Sequence, residues 1–223
     1  PPRSTLFPYT TLFRSSMDAV IATGSSNSNR YFEYYFRDLP KVLRSQRTST
    51  AVLLGTETDE ELRALGADVF NYYGMGCRSV TKLFLPNGFD LNRLFAVWVD
   101  WAHLADNNKY ANNYDYHKAV WLLNQHQLIE NGFVLLKQDP GIFSPVGTLY
   151  YDFYGGLSEV KEAIDRDADS IQCVATSDTA ALEGIASPLV ELGQTQCPDP
   201  WQYADGIDTL SFLLALSSNP DAQ

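Results

Sequence analysis

The sequence predicts an α/β protein with a largely parallel sheet, and three observations support this prediction. Short apolar runs that are typical of buried strands alternate along the chain with longer stretches of helical spacing. Glycine or a helix-capping residue separates most of these segments. The chain has 223 residues, of which 45% are hydrophobic, so it is long enough to bury one or two cores. We therefore expect helices packed against a parallel sheet.

The first strand–turn–helix unit lies near the start of the chain. An apolar run at residues 18–22 predicts a strand, and an aromatic amphipathic segment at residues 31–36 predicts a helix. Thr23, Gly24 and Ser25 form the turn between them. Amide groups at such a turn either contact a cofactor or simply close the turn, and the spacing alone favours the second interpretation.

A second unit repeats this order. Residues 50–54 are typical of a buried strand, and Thr58 with Glu61 predicts a capping box at the start of the next helix. Apolar side chains then recur at helical spacing as far as Tyr73. Gly74 follows at the position where helices commonly end in a residue of positive φ.

The alternation continues to the C-terminal quarter of the chain. We expect further strands at residues 80–85, 133–136, 148–154 and 171–175, and further helices at 90–105, 113–130 and 157–166.

The first residues form a segment that we exclude from the fold prediction. Residues 5–15 resemble the conceptual translation of a sequencing-adapter oligonucleotide, so residues 1–15 are interpreted as non-native. A signal peptide would need a continuous apolar core, which Pro8 and the polar residues after it interrupt. We expect native sequence from Ser16 onward, and we expect the chain to be the C-terminal part of a longer protein.

Composition excludes several classes of partner. The net charge is -11, with 27 acidic and 16 basic residues, so the average surface repels a phosphate backbone and nucleic acid is not expected as a partner. The apolar runs are far shorter than a membrane span requires. The three cysteines form no Cys-x-x-Cys pair, which favours a reducing cytoplasm and gives no support to a structural metal site.

Cys77 is the main candidate for chemistry. It follows Gly76 in a predicted loop between a helix and a strand, where a side chain can be exposed. The alternative is that Cys77 is a small buried apolar residue. Cys173 falls in a predicted strand and is expected in the core, while the spacing around Cys197 supports no interpretation.

No cysteine–histidine pair is indicated. His103, His117 and His126 all fall in predicted helical stretches downstream of Cys77. We expect them at the surface or satisfied in the core, and not as the base of a cysteine protease.

Several motifs together resemble the aldehyde dehydrogenase superfamily. They are Thr-Gly-Ser at residues 23–25, the glycine-bracketed Cys77, Ile-Phe-Ser-Pro-Val at 142–146 and Leu-Gly-Gln at 192–194. Within that superfamily the sequence is most similar to the long-chain acyl-CoA reductases of bacterial bioluminescence operons. The sequence motifs that support this similarity are Ala-Thr-Gly-Ser at 22–25, Asn-Arg-Tyr-Phe-Glu-Tyr-Tyr-Phe at 29–36, Tyr-Gly-Met-Gly-Cys-Arg at 73–78 and Gly-Gln-Thr-Gln-Cys-Pro at 193–198.

The resemblance implies a domain organisation and a cellular setting. It implies the end of a dinucleotide-binding domain at residues 16–50, an aldehyde dehydrogenase-like catalytic domain at 51–192 and a C-terminal return segment at 193–223. A bacterial cytoplasmic location and a homo-oligomeric full-length protein are also implied.

The resemblance further implies a reaction. The Cys77 thiolate would accept an acyl group from acyl-CoA or an acyl-protein thioester, and NADPH would then reduce the acyl group to an aldehyde. Thr23, Gly24 and Ser25 would contact the cofactor. The backbone N–H of Cys77 would stabilise the oxyanion, and Arg78 is a candidate for favouring the thiolate.

Two positions depart from the superfamily pattern. Leu53 stands where hydrolytic members have the glutamate that activates water, which suits an enzyme that protects its acyl-cysteine. Glu57, Glu60 and Glu61 remain alternative positions for such a base. Gly141 stands where many members have a ribose-binding glutamate, so no ribose contact is assigned.

Two alternative functions stay open. One is a CoA-acylating dehydrogenase that oxidises short aldehydes with NAD. The other is a binding module that holds an acyl thioester without redox activity.

Overall fold

The computed structural model describes residues 17–24 and 26–217. These residues divide into two compact units. The smaller unit contains the described residues up to Gln46 and those from Asp199 to Ser217, and the larger unit is Arg47–Pro198. The adapter-like segment at residues 1–15 lies outside the described residues.

The strands, in chain order, are β1 Val20–Thr23, β2 Lys41–Arg44, β3 Thr48–Val52, β4 Val80–Pro86, β5 Ile129–Glu130, β6 Leu135–Gln138, β7 Thr148–Tyr154, β8 Ile171–Thr176 and β9 Leu189–Glu191. The α-helices are α1 Ser26–Tyr35, α2 Asp59–Phe70, α3 Asn92–Val97, α4 Asn108–Leu123, α5 Leu157–Arg166 and α6 Thr209–Ser217. Short 3₁₀ helices connect several of them, including Asn71–Gly74 and Val99–Asp106.

The larger unit is built on a seven-stranded sheet. Its strand order is β5-β6-β7-β4-β3-β8-β9, and every pair is parallel except the antiparallel pair of β5 with β6. The smaller unit contains a two-stranded parallel sheet of β1 and β2, with α1 between the two strands in sequence. The predicted α/β fold with a largely parallel sheet is confirmed.

The central strands are buried on both faces, as expected for parallel strands between helices. Alternate residues of β3 and β4 belong to different apolar clusters, because successive side chains of a strand point to opposite faces. Ala51 and Leu83 share one cluster with α2 and α3, whereas Val52 and Phe84 share another with α5. Each fully buried Val or Leu side chain in these clusters contributes roughly 1.5–3 kcal/mol to the stability of the folded chain.

The predicted elements agree with the structure where local pattern is strong. The strand at 148–154 and the helix at 157–166 are observed with those bounds. The capping box is also present, with the Thr58 side chain accepting from the Glu61 backbone and the Glu61 carboxylate accepting from the Thr58 backbone.

Three helix predictions were wrong in their extent. The helix expected at 31–36 begins earlier, because α1 is Ser26–Tyr35. The stretch expected at 113–130 ends at Leu123, because Gln125 takes a positive φ of 60° and Ile129–Glu130 pairs with β6 as an edge strand. His126 therefore lies in a loop and not in a helix. The stretch expected at 90–105 is divided at the fully buried Trp98 into α3 and the 3₁₀ helix Val99–Asp106.

In the part of the chain that the structure describes, no helix combines the length and apolar character needed to cross a membrane.

Candidate functional site

Cys77 lies in a tight turn between α2 and β4, with an exposed side chain. The chain reaches this turn through Tyr72 and Tyr73, which adopt left-handed φ values of 56° and 59°, and then through Gly74 at 71°. The positive φ expected at Gly74 is confirmed. Two consecutive tyrosines in this region cost of order 1–3 kcal/mol each, and such strain clusters at functional sites.

Backbone and side-chain hydrogen bonds hold the turn on both sides of Cys77. The Ser79 amide donates to the Gly76 carbonyl at 3.0 Å, and the Gly76 amide donates to Ser79 Oγ at 3.1 Å. Ser49 Oγ, from β3, donates to the Cys77 carbonyl at 3.1 Å. The thiol is therefore presented to solvent from a backbone that the sheet keeps in place.

Two amide groups of the turn have no hydrogen-bond acceptor among the described residues. Among the residues that the structure describes, neither the Cys77 amide nor the Arg78 amide donates to an acceptor. A free N–H next to a nucleophile is the type of donor that stabilises an oxyanion. This arrangement fits the role expected for the Cys77 amide.

Arg78 extends away from the turn into the larger unit. Its Nη1 donates to the Thr195 carbonyl at 3.1 Å and lies 4.0 Å from Cys173 Sγ. The guanidinium contacts that the structure shows therefore link the turn to the segment after β9 and to β8.

Cys173 is a core residue, as its strand position predicted. It is fully buried in β8, with its Sγ 3.2 Å from Ser49 Oγ. Burial raises the pKa of the Cys173 thiol, although the hydrogen bond with Ser49 and the charge of Arg78 oppose that effect. Cys197 is exposed and follows the segment that receives Arg78.

Asp68 is a buried carboxylate that the sequence analysis did not select. It lies on α2, accepts from the Gly193 amide at 2.6 Å and accepts from the amide and hydroxyl of Thr195 at 3.0 and 2.7 Å. Burial raises the pKa of Asp68 despite these hydrogen bonds. An acidic residue between Leu65 and Val69 on the apolar face of the predicted helix was the signal that could have identified it.

The alternative positions for a water-activating base are occupied in structural roles or exposed. The Glu57 carboxylate is buried and accepts from the amides of Leu54 and Gly55 and from Ser177 Oγ. Glu61 belongs to the capping box of α2, and Glu60 is exposed. Leu53, the position that the resemblance aligns with the glutamate of hydrolytic members, is fully buried in the core.

The predicted cofactor turn lies in the smaller unit. Thr23 ends β1, and the Gly24 amide donates to the Arg44 carbonyl of β2 at 3.1 Å. A Cβ at Gly24 would lie 2.8 Å from the Cβ of Ser28 in α1, so this turn approaches the helix too closely for another residue. Ser25 lies outside the described residues.

An aromatic cavity of about 300 Å³ opens beside the strained tyrosines. Its lining includes Phe70, Tyr72, Tyr73, Trp101 and Leu104. This volume is at the lower end of the range for small-molecule sites, and the lining is predominantly apolar, as in most such sites.

Among the described residues, no group of three or more His, Cys, Asp or Glu side chains is placed to hold a metal ion.

Comparisons with known proteins identify the fold through solved structures. No protein-family model matches the sequence, and no curated protein matches it. A putative aldehyde dehydrogenase PutA from Anabaena variabilis aligns with a TM-score of 0.62 and 14% identity over 86% of this chain and 50% of that one. An NAD-dependent aldehyde dehydrogenase from Sinorhizobium meliloti aligns with a TM-score of 0.60 and 11% identity over 82% and 45%.

A third structure is the Delta-pyrroline-5-carboxylate dehydrogenase from Mycobacterium tuberculosis, bound with NAD. It aligns with a TM-score of 0.55 and 16% identity over 78% of this chain and 41% of that one. This chain thus spans half or less of the length of the three structures. At these identities the likeness establishes architecture and not activity. The chain has an α/β fold that matches part of the aldehyde dehydrogenase fold.

Proposed function

We propose that Cys77 is the acyl-accepting nucleophile of an NADPH-dependent long-chain acyl-CoA reductase. The observation that carries this proposal is an exposed thiol in a rigid turn whose own amide is free, on a fold similar to that of aldehyde dehydrogenases. The activity belongs to the complete protein, because the chain spans half or less of the length of the structures it resembles.

The chemistry that this chain would supply is acyl transfer. The Cys77 thiolate attacks the thioester carbonyl, a new carbon–sulfur bond forms, and the bond to the CoA sulfur breaks as CoA leaves and takes up a proton. The free Cys77 amide is the donor available to the tetrahedral oxyanion. Because Leu53 replaces a carboxylate and Glu57 is held by three donors, neither position activates water against the acyl-cysteine.

NADPH would supply the hydride that converts the bound acyl group to an aldehyde. The smaller unit offers one β–α–β unit with the tight turn at Thr23 and Gly24, and we propose this turn and Ser25 as cofactor contacts. A dinucleotide commonly occupies two such mononucleotide-binding halves. The single unit fits part of the cofactor, and the remaining contacts would come from other residues of the complete protein.

The acyl-transfer step is tested by intact-mass measurement. The complete protein is incubated with a long-chain acyl-CoA without NADPH, and one acyl adduct is expected. Cys77→Ser should abolish the adduct, while the exposed Cys197→Ser serves as the matched control and should retain it. An absent adduct, or an adduct that persists in Cys77→Ser, would contradict the proposal.

A second candidate is the dehydrogenase direction with shorter aldehydes, CoA and NAD. Two of the structures that this chain resembles are an NAD-dependent aldehyde dehydrogenase and a dehydrogenase bound with NAD, which favours the cofactor of this candidate. Rates measured across chain length with each cofactor separate the two candidates. A preference for NAD and short aldehydes would support the second.

A further inference from the structure

A chain of hydrogen bonds connects α2 to Arg78, the residue that follows Cys77, and it is buried between Asp68 and Thr195 and partly buried at Arg78. Asp68 accepts from the amide and hydroxyl of Thr195, and the Thr195 carbonyl accepts from Arg78 Nη1 at 3.1 Å. Asp68 and Thr195 are both fully buried. Hydrogen bonds shielded from water in this way are stronger than exposed ones and restrict the groups they join.

The segment that receives Arg78 is held directly against α2. Gly193 has a φ of 86°, and a Cβ there would lie 2.8 Å from the Cβ of Ala64 on the helix. The Gly193 amide also donates to Asp68 at 2.6 Å. The close approach and the carboxylate together set where the Thr195 carbonyl lies.

The two residues of the turn are thus anchored by two different segments of the chain. Ser49 on β3 holds the Cys77 carbonyl, and Thr195 holds the Arg78 side chain. The amide of Cys77 is left free by both anchors. A catalytic group displaced by about 1 Å loses on the order of a hundredfold in rate, so anchors of this kind matter to catalysis.

We infer that Asp68 is a positioning residue for Cys77, acting through Thr195 and Arg78 to keep the Cys77 amide where negative charge develops on the acyl oxygen. This inference rests on the proposed acyl transfer. It concerns the acylation step, in which the oxyanion forms, and not the nucleophilicity of the thiolate itself.

Two reactions of the same thiol separate positioning from a structural role. Acylation by p-nitrophenyl octanoate forms an S–acyl bond, breaks the ester C–O bond and releases p-nitrophenolate through an oxyanion. Alkylation by iodoacetamide needs the thiolate but forms no oxyanion. Both rates are measured at Cys77 in the 223-residue chain carrying Cys197→Ser, the first as the p-nitrophenolate release that is lost in Cys77→Ser and the second by peptide mass spectrometry.

Asp68→Asn is expected to lower the acylation rate about tenfold or more and to leave the alkylation rate within about twofold. Glu57→Gln is the matched control. Glu57 is equally a buried carboxylate with bonds from two amides and one hydroxyl, but those bonds lie around Leu54 and Ser177. Both rates should remain within about twofold in that variant.

A double-mutant cycle tests the route through Arg78. If Asp68 acts through that side chain, Asp68→Asn and Arg78→Gln lose less acylation together than the product of their separate losses. Independent, multiplicative losses would overturn the route. Equal losses of acylation and alkylation in Asp68→Asn would show a merely structural role and overturn the inference. Labelling of the buried Cys173 in Asp68→Asn without denaturant would do the same, because it would show that the core has opened.

The outcome is separable from the fate of the proposed function. If the wild-type thiol is alkylated but not acylated by the ester, the inference fails even when acyl-CoA forms an adduct in the complete protein. If the complete protein does not reduce acyl-CoA, the proposed function fails. The positioning role still stands if Asp68→Asn lowers the ratio of the acylation rate by the ester to the alkylation rate by iodoacetamide.

Discussion

Asp68 and Lys82 are both buried ionisable residues, and their surroundings differ. Asp68 receives hydrogen bonds from Gly193 and Thr195, whereas Lys82 donates to the Asp139 carbonyl and lies 4.0 Å from an Asp152 carboxylate oxygen. The Lys82 ammonium also lies 5.4 Å from the centre of the Phe84 ring. Burial lowers the pKa of Lys82, and the charges of Asp152 and Asp139 oppose that effect.

Lys82 predicts a specific pH dependence of stability. Between its lowered folded-state pKa and the ordinary value of 10.5, the unfolded chain binds more protons at this residue than the folded chain does. Its contribution to the free energy of unfolding therefore rises with pH across that window. The free energy of unfolding of wild type and of Lys82→Met is measured in urea as a function of pH. The value for wild type minus the value for the variant should rise with pH.

The exposed Lys109→Met is the matched control for this experiment. Since the Lys109 side chain is exposed, this variant controls for the loss of a lysine charge without the loss of a buried group. A level difference in Lys82→Met would mean that burial does not disfavour the charged form.

At the scale of elements, local sequence pattern decided where most helices and strands begin, and tertiary contacts decided where several end. The capping box placed the start of α2 because Thr58 and Glu61 satisfy each other's backbone amides. The end of α4 was mispredicted because Ile129–Glu130 becomes a strand only by pairing with β6. The strands β2 and β9 were not predicted, being short and only partly buried.

Gly66 on α2 is a prediction at this scale. Alanine is the better helix former, but a Cβ at residue 66 would lie 2.8 Å from Trp101 Nε1 and 2.9 Å from Trp98 Cδ1. Since Trp98 is fully buried, the clash should outweigh the propensity, and Gly66→Ala should lower the free energy of unfolding by about 1–3 kcal/mol. Urea denaturation measures the change.

Gly155→Ala provides the comparison for that substitution. The nearest atom to a Cβ at Gly155 is a Glu159 carboxylate oxygen at 3.6 Å, so the methyl group fits and the unfolding midpoint should not fall. An unchanged midpoint in Gly66→Ala would show that the indole rings move aside without cost.

At the scale of the whole molecule, the two compact units differ in the size of their sheets. The larger unit has seven strands and clusters of buried side chains on both faces of its central strands. The smaller unit has a two-stranded sheet, and Leu210, Leu213 and Leu214 are exposed on α6. A two-stranded sheet is marginal by itself.

The single β–α–β unit predicts weak cofactor binding by this chain. Two mononucleotide-binding halves commonly hold a dinucleotide, and the described residues contain one such unit in the smaller part of the chain. We expect negligible NADPH binding by the 223-residue chain in a tryptophan fluorescence titration. Micromolar affinity would contradict this expectation, and the complete protein under the same conditions is the positive control.

The sequence by itself determined the α/β class, the main strands and helices of the larger unit, and the place of Cys77 in a turn between helix and strand. These features depend on hydrophobic period, capping residues and glycine, which act between neighbours in the chain. The exposure of Cys77, which the sequence left open, was decided by the tertiary structure. The domain limits at residues 50 and 192 and the roles of Thr23, Gly24, Ser25 and Cys77 remain predictions.

Only the tertiary structure decided the strand order and the surroundings of Cys77. Ser49, Asp68 and Thr195 come from distant parts of the chain, and they converge because parallel strands and the helix packed on them bring those segments to one place. The hydrophobic period and the capping residues do not specify such pairings, since they depend only on neighbours in the chain and would be the same with other long-range partners. The proposed nucleophile was therefore visible in the sequence, but the contacts that hold its turn were not.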